Sequence, residues 1–237
     1  NFLKQGARVI ACDRREREQI GNIAGELEAA GAELKLGEGY LDNLEVDIIF
    51  RTPGMNFHLP ELERARKRGI AVTSEMEVFF DLCPATIFAV TGSDGKTTTT
   101  TLIAKMLEAE GKRVFVGGNI GTPLLPEIEN ITADDFVVAE LSSFQLISMR
   151  KSPDVAVVTN VAPNHLDVHK DMDEYVEAKK NILLHQNAFS RTILNRDNDI
   201  TESFRKDVRG QSLGFSMSRR LNNGAWLDQD GVLHMAY

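Results

Sequence analysis

Residues 88–107 read FAVTGSDGKTTTTTLIAKML, and this stretch decides the fold that we expect. The preceding apolar run, TIFAVT, predicts a strand, GSDG predicts a tight turn, and the residues after it have apolar positions at helical spacing. A strand, a glycine loop and a helix in this order are what a phosphate-binding loop requires. Only Ser93 and Asp94 separate Gly92 from Gly95, whereas the usual pattern has about four residues between its glycines.

The predicted loop has the groups that an anion needs. Glycines let the backbone curl around a phosphate, and a helix N-terminus directs free N–H groups and its dipole at it. Lys96 would reach the terminal phosphates of ATP, and the Thr97 hydroxyl would face Mg²⁺. The alternative is a glycine turn capped by polar residues that binds no ligand. The predicted phosphate contacts are Gly92, Ser93, Asp94, Gly95, Lys96, Thr97 and Thr98.

Short apolar runs alternate with charged, helix-forming stretches, which indicates an α/β fold with a parallel sheet. Cys83-Pro84 interrupts a helical pattern and favours a domain boundary near Ala85. We expect a Rossmann-like domain over 1–85, truncated at its N-terminus, and a P-loop NTPase-like parallel-sheet domain over 86–237. The predicted strands are ARVIAC, AELKLG, VDIIF, IAVTS, TIFAVT, RVFVGG, FVVAEL, VAVVTN and TILN, and the predicted helices cover 16–30, 59–67, 76–82, 96–110 and 172–188.

Composition narrows the class of protein. The net charge of −8 argues against a nucleic-acid or anionic-membrane surface. Two cysteines are too few for a disulfide framework, so we expect a reducing, cytoplasmic setting. We also expect a monomer that acts on small molecules. No apolar run reaches transmembrane length. The chain opens without Met on a helical pattern ending at Gly6 and closes after a hairpin-like DQDG turn, so we expect an internal fragment of a longer protein.

Two further polar side chains follow predicted strands. Glu140 follows an apolar strand, at the edge where α/β sheets place their sites, and its carboxylate suits Mg²⁺. His165 follows the next strand at the equivalent edge. Glu140 could instead cap a helix, and His165 could be an ordinary loop histidine. His165 and His169 have the spacing of a zinc pair, but no third ligand is evident.

Several segments then resemble one family. TGSDGKT resembles the T-G-x-x-G-K-[ST] loop of the Mur ligase superfamily, ATP-dependent amide-forming enzymes that include folylpolyglutamate synthases. AELSSFQL resembles the segment of those members that add D-glutamate to UDP-N-acetylmuramoyl-L-alanine. Other family segments are matched by GGNIGTPLL, by TNVAPNHLDVH with Asn164 where Asp is common, by YVEAKKNIL, and by RTPGMN, which resembles an S-P-G turn at the UDP end.

The resemblance implies an ATP-dependent ligase that joins D-glutamate to UDP-N-acetylmuramoyl-L-alanine through an acyl phosphate, with two Mg²⁺ ions. It implies catalytic roles for Lys96, His165 and Lys179. Thr97 and Glu140 would hold one metal, and His165 and a carbamylated Lys179 the other. Lys180 adjoins Lys179 and leaves a second candidate for the modified lysine.

The resemblance also implies substrate contacts and alternatives. Substrate contacts would come from Asn119, Ser142, Ser143 and Gln145, with Asp13 and Arg14 near the uridine end. The family's third, C-terminal domain would lie outside this chain. Another superfamily member, adding a different amino acid or extending a folate tail, is one alternative. A P-loop module that binds a nucleotide without forming an amide is the alternative from another class.

Overall fold

The computed structural model describes residues 2–163 and 169–237, and the chain has the expected α/β class. The strands are β1 (Ile10–Asp13), β2 (Glu33–Leu36), β3 (Ile48–Phe50), β4 (Ala71–Thr73), β5 (Thr86–Thr91), β6 (Val114–Gly118), β7 (Phe136–Glu140), β8 (Val155–Val158), β9 (Arg191–Asn195), β10 (Gln211–Ser216), β11 (Gly224–Leu227) and β12 (Leu233–Ala236). The helices are α1 (Arg17–Ile20), α2 (Asn22–Ala29), α3 (Pro60–Lys67), α4 (Glu75–Leu82), α5 (Lys96–Ala109), α6 (Ser143–Leu146), α7 (Met172–Leu184) and α8 (Asp199–Ser203). Short 3-10 helices cover Phe2–Gln5, Leu125–Asn130 and Phe204–Asp207.

The chain divides into two compact units. The first comprises Asn1–Ile49 and His58–Val72. In it β1 and β2 pair in parallel, from Ile10 opposite Glu33 to Asp13 opposite Leu36. The predicted helix over 16–30 is broken at Gly21, whose φ of 65° and ψ of −140° end α1 before α2 begins. Glycine adopts this backbone conformation at little cost, which explains why two helices replace one.

The second unit comprises Phe50–Phe57 and Thr73–Tyr237 and is built on an eight-stranded sheet. The order of its strands is β12-β11-β10-β9-β8-β5-β7-β6. The pairings from β6 to β11 are parallel, and β11 and β12 form an antiparallel hairpin across the predicted DQDG turn. Because β5 pairs in parallel with both β7 and β8, the carboxyl ends of the three strands lie at one edge of the sheet. The strand order reverses at β5. That is the edge where open α/β sheets bind ligands.

The core of the second unit is apolar on both sheet faces, as expected for parallel strands covered by helices. Ala89, Val138 and Ala156 in neighbouring strands are fully buried. Helix α4 adds Met76, Phe79 and Phe80 to the cluster that contains Ala89 and Ala156. By packing, α4 therefore belongs to the second unit, although the predicted domain boundary lies after it. That boundary, near Ala85, stays a prediction.

Within the described residues, no helix combines the length and apolar character needed to cross a bilayer.

Candidate active site

The loop between β5 and α5 packs closely against the segment that follows β8. A Cβ atom at Gly92 would lie 1.8 Å from Thr159 Oγ1 and 3.1 Å from the Asn160 main-chain oxygen. Gly95 has a φ of 75°, in the left-handed region, where it caps the N-terminus of α5. The first glycine therefore permits a close approach, and the second permits the turn into the helix.

Asn160 holds this loop from its side. Its Oδ1 accepts hydrogen bonds from the amides of Ser93 (3.0 Å) and Asp94 (2.9 Å). These two amides, predicted to bind phosphate, are thus already engaged. Across the described parts of the chain, no acceptor is found for the amides of residues 95–98, because the first turn of a helix leaves its N–H groups unpaired. The geometry therefore favours an anion at the start of α5 rather than at Ser93.

The Ser93 hydroxyl links the loop to α7. The hydroxyl donates a hydrogen bond to the Ala162 main-chain oxygen (2.9 Å), and its oxygen accepts one from the Ala162 main-chain amide (2.9 Å). The Tyr175 hydroxyl lies 2.9 Å away and donates the remaining bond, since the Ser93 hydrogen is already used. Burial raises the pKa of the Tyr175 phenol.

Two lysine ammonium groups meet at the Gly92 carbonyl. Lys96 Nζ donates to the main-chain oxygens of Gly92 (3.1 Å) and Ser93 (3.0 Å). Lys179 Nζ donates to the Gly92 oxygen at 2.8 Å. Burial, and then the nearby charge of Lys96, lower the pKa of Lys179 to about 7. Lys96 therefore supplies positive charge at the loop, and the buried Lys179 amine readily loses its proton near neutral pH.

Helix α7 distinguishes its two neighbouring lysines. Its buried residues are Tyr175, Ala178, Lys179, Ile182 and Leu183, so Lys179 occupies a core position at helical spacing. Lys180 points away and forms ion pairs with Asp207 (2.9 Å) and Glu177 (3.5 Å). This spacing, visible in the sequence, favours Lys179 over Lys180 as the lysine of the site.

Glu140, at the end of β7, is buried with 1% of its surface exposed. Its Oε2 accepts from Thr97 Oγ1 (2.8 Å), and its Oε1 accepts from Asn119 Nδ2 (2.9 Å). The Asn119 amide also donates to the Glu140 main-chain oxygen (2.8 Å). The structure therefore brings Asn119, a predicted substrate contact, to the predicted metal ligand.

The surroundings of Glu140 fit a hard cation. Among the described residues, the carboxylate has neutral hydrogen-bond donors and no ion pair with a lysine, arginine or histidine. A buried carboxylate without a countercharge is costly, and Mg²⁺ prefers oxygen ligands while keeping several waters. No cluster of three His, Cys, Asp or Glu side chains suited to a metal occurs in the described part of the chain. Thr97 and Glu140 would therefore hold a cation together with phosphate and water.

The predicted substrate contacts of AELSSFQL have local structural partners. Ser142 Oγ caps α6 by accepting a hydrogen bond from the Gln145 main-chain amide (3.3 Å). The side-chain oxygen of Gln145, Oε1, accepts from the Ser142 main-chain amide (2.9 Å). Ser143 Oγ lies 2.8 Å from His169 Nε2, whose Nδ1 lies 3.3 Å from Glu174 Oε2. The Ser143–His169–Glu174 contacts link α6 to α7, whereas the bonds between Ser142 and Gln145 fix the start of α6 itself.

His165 and Asn164 lie outside the described residues, so the predicted metal role of His165 and the zinc alternative stay predictions. In the first unit, Asp13 lies at the end of β1, and Arg15 holds its pKa down, at about 2. The N-cap of α1 is Glu16. Arg14, next to Asp13, is exposed.

Sequence reasoning missed Asn160 and Tyr175 as parts of the site. Asn160 is the second residue after β8, the neighbour of β5, and polar residues just past the carboxyl end of a parallel strand are candidates for a site. Tyr175 precedes Lys179 by four residues, so the two share one face of α7. Both signals were in the sequence.

Comparison with known proteins agrees with this geometry. The family description "Mur ligase middle domain" matches residues 90–233. The chain is 56% identical over 230 residues to a UDP-N-acetylmuramoylalanine--D-glutamate ligase of Acetivibrio thermocellus, covering 97% of this chain and 49% of that protein. It is 51% identical over 232 residues to the ligase of the same name from Clostridium kluyveri (strain ATCC 8527), covering 98% of this chain and 51% of that protein. The chain thus spans about half the length of these relatives.

Solved structures share the fold at lower identity. A UDP-N-acetylmuramate:L-alanyl-gamma-D-glutamyl-meso-diaminopimelate ligase from Neisseria meningitides aligns with a TM-score of 0.59 at 19% identity, covering 98% of this chain and 77% of that one. A UDP-N-acetylmuramoyl-L-alanyl-D-glutamate--2,6-diaminopimelate ligase aligns with a TM-score of 0.55 at 19% identity, covering 94% and 49% of the two chains.

Proposed function

The chain belongs to the Mur ligase family, and on that premise we propose that the protein joins D-glutamate to UDP-N-acetylmuramoyl-L-alanine at the expense of ATP, a step in making peptidoglycan precursors. The observation that carries the proposal is the 51–56% identity to ligases of that name across nearly the whole chain. The phosphate loop, the buried Glu140 and the core position of Lys179 support it.

The chemistry requires an activated carboxylate. The γ-phosphoryl group of ATP passes to the substrate carboxylate, giving an acyl phosphate and ADP. The amine of D-glutamate attacks the carbonyl carbon, and the tetrahedral intermediate releases phosphate and a proton to leave the amide. The site must hold two anions together, so its task is mainly positioning and electrostatic stabilisation.

The residues of this chain would divide that task. The amides at the start of α5 and Lys96 would bind the phosphates, and Lys96 would leave the Gly92 and Ser93 carbonyls to reach them. Thr97 and Glu140 would hold one Mg²⁺. His165 and a carbamylated Lys179 would hold a second. Mg²⁺, when bound, would offset the charge that develops on the phosphoryl oxygens.

Lys179 suits carbamylation on geometric grounds. It is buried, with 2% of its surface exposed, and its Nζ lies within reach of the Gly92 carbonyl at the loop. Among the described residues, Lys180 and not Lys179 forms ion pairs with carboxylates, so the anionic oxygens of a carbamate on Lys179 would not replace an existing ion pair. A carbamate converts the cation into an oxygen ligand for a hard metal. Asn119, Ser142, Ser143 and Gln145 would line the muramoyl-alanine end, and Asp13 and Arg14 the uridine end.

The test is phosphate release by the full-length protein, supplied with ATP, Mg²⁺, UDP-N-acetylmuramoyl-L-alanine and D-glutamate. Release that needs both ligase substrates supports the proposal. The other superfamily activities are tested by replacing D-glutamate with L-alanine or meso-diaminopimelate, and by offering a folate in place of UDP-N-acetylmuramoyl-L-alanine. ATP binding without phosphate release in any mixture would contradict the proposal and support a nucleotide-binding module. We further propose a cytoplasmic monomer, which sedimentation of the purified protein and cell fractionation would test.

A further inference from the structure

Arg51 is a buried charged side chain for which the proposed chemistry has no use. It follows β3, opens the RTPGMN turn and has 3% of its surface exposed. Burying a guanidinium group is costly unless its N–H groups find acceptors. The acceptors around Arg51 therefore show what the side chain holds in place.

The first set of acceptors belongs to the turn itself. Arg51 Nη1 donates to the main-chain oxygens of Thr52 (3.3 Å), Pro53 (3.3 Å) and Met55 (3.0 Å). The guanidinium carbon also lies 5.7 Å from the centre of the Phe57 ring, within cation–π distance. Three main-chain carbonyls of the turn thus accept hydrogen bonds from the same nitrogen, Arg51 Nη1.

The second set belongs to α6 and the residues after it. Arg51 Nη2 donates to the Phe144 main-chain oxygen (2.9 Å) and to Ser148 Oγ (3.3 Å). Ser148 Oγ in turn donates to Glu77 Oε2 (2.9 Å), which links the buried cation to a carboxylate. The planar guanidinium group of Arg51 therefore joins the turn, through Nη1, to the helix that carries Ser142, Ser143 and Gln145, through Nη2.

We propose that Arg51 is a positioning residue that holds the turn at the uridine-diphosphate end of the substrate site at a set distance from α6, at the muramoyl-alanine end. This inference rests on the proposed function. The turn and α6 lie in the same compact unit, so the distance between them is a property of that unit. A substrate that contacts both segments gains affinity only when they are correctly spaced. The ATP phosphates contact the start of α5 instead and are independent of this guanidinium group.

Binding measurements on the full-length protein test the inference without turnover. The variants are Arg51→Met, Arg51→Lys and, as a matched control, Arg209→Met at an exposed arginine. Isothermal titration with UDP-N-acetylmuramoyl-L-alanine, without ATP, should show an affinity loss of about tenfold or more for Arg51→Met. Arg51→Lys keeps the charge but cannot reach both sets of acceptors, so its loss should be intermediate. The affinity of the two Arg51 variants for ADP should stay within about twofold of wild type. The Arg209→Met control should bind the substrate and ADP within the same limit, because a twofold change is smaller than the loss of one weak contact.

Two outcomes would overturn the inference. One is an Arg51→Met protein that binds the substrate as tightly as wild type while unfolding at lower denaturant, since Arg51 would then be only a structural residue. The other is an equal loss of substrate and ADP affinity. If Arg51→Met does not fold, Arg51→Lys decides by the same criteria. Wild-type protein that binds the substrate but releases no phosphate contradicts the proposed function, and leaves the Arg51 comparison valid.

Discussion

The Ser93–Tyr175 hydrogen bond should couple the phosphate loop energetically to α7. Tyr175 is buried, with 1% of its surface exposed, and its hydroxyl donates to Ser93 Oγ at 2.9 Å. Tyr175→Phe removes one of the two hydrogen bonds that Ser93 Oγ accepts, so we expect a loss of about 1 kcal/mol in the free energy of unfolding. Ser93→Ala strands the buried Tyr175 hydroxyl and both main-chain groups of Ala162, so we expect a larger loss, about 2–3 kcal/mol.

The double variant decides whether the bond acts as described. With both hydroxyls removed, no tyrosine donor is left stranded, so the combined loss should fall short of the sum of the single losses by about 1 kcal/mol. Urea unfolding of the full-length protein, followed by far-UV circular dichroism, measures these free energies. Tyr40→Phe is the control, because no described residue forms a hydrogen bond with the Tyr40 hydroxyl, so its loss should stay below about 0.5 kcal/mol. Losses that add to within about 0.3 kcal/mol would refute the coupling.

Three further changes test the site itself. Lys96→Ala should lower amide formation by orders of magnitude because the phosphate clamp is lost; near-normal turnover in the phosphate-release assay would contradict that role. Lys179→Ala should lose activity that added acetate partly restores, since acetate can supply the missing oxygen ligand; normal activity and Mg²⁺ dependence would rule the ligand role out. Asn119→Leu removes a donor to the Glu140 carboxylate, so Mn²⁺ binding, followed by electron paramagnetic resonance with ADP present, should weaken about tenfold. Unchanged Mn²⁺ affinity would show that Asn119 does not orient the carboxylate.

The alternation of strands and helices could be predicted because it depends on local sequence patterns. The strand at β5, the glycine loop and α5 lie where the pattern places them, since buried parallel strands are continuous apolar runs. The face of α5 that packs against the sheet is not the face that hydrophobicity alone predicts. Leu102 and Met106 are exposed, and Thr100 and Ala104 are buried. Small residues let the helix lie close to the sheet, a tertiary effect that hydrophobicity alone does not reveal.

The partners of the polar site residues could not be predicted in the same way. The sequence identifies Ser93 and Asp94 as loop residues, but the acceptor of their amides, Asn160, lies more than sixty residues further along the chain. It reaches them only because β8 pairs with β5. Likewise, Asn119 meets Glu140 because β6 and β7 are neighbours. Strand order is a global property, and it decides which of several polar residues share a site.

The two ammonium groups at the Gly92 carbonyl have a consequence for ligand discrimination. Two of the three N–H donors of Lys96 are hydrogen-bonded to the loop, so an incoming anion competes with the Gly92 and Ser93 carbonyls for this ammonium group. A small anion such as inorganic phosphate makes few contacts with which to offset that exchange. A nucleotide triphosphate brings additional contacts along its length and offsets it readily. This competition would favour a nucleotide triphosphate over inorganic phosphate at the loop.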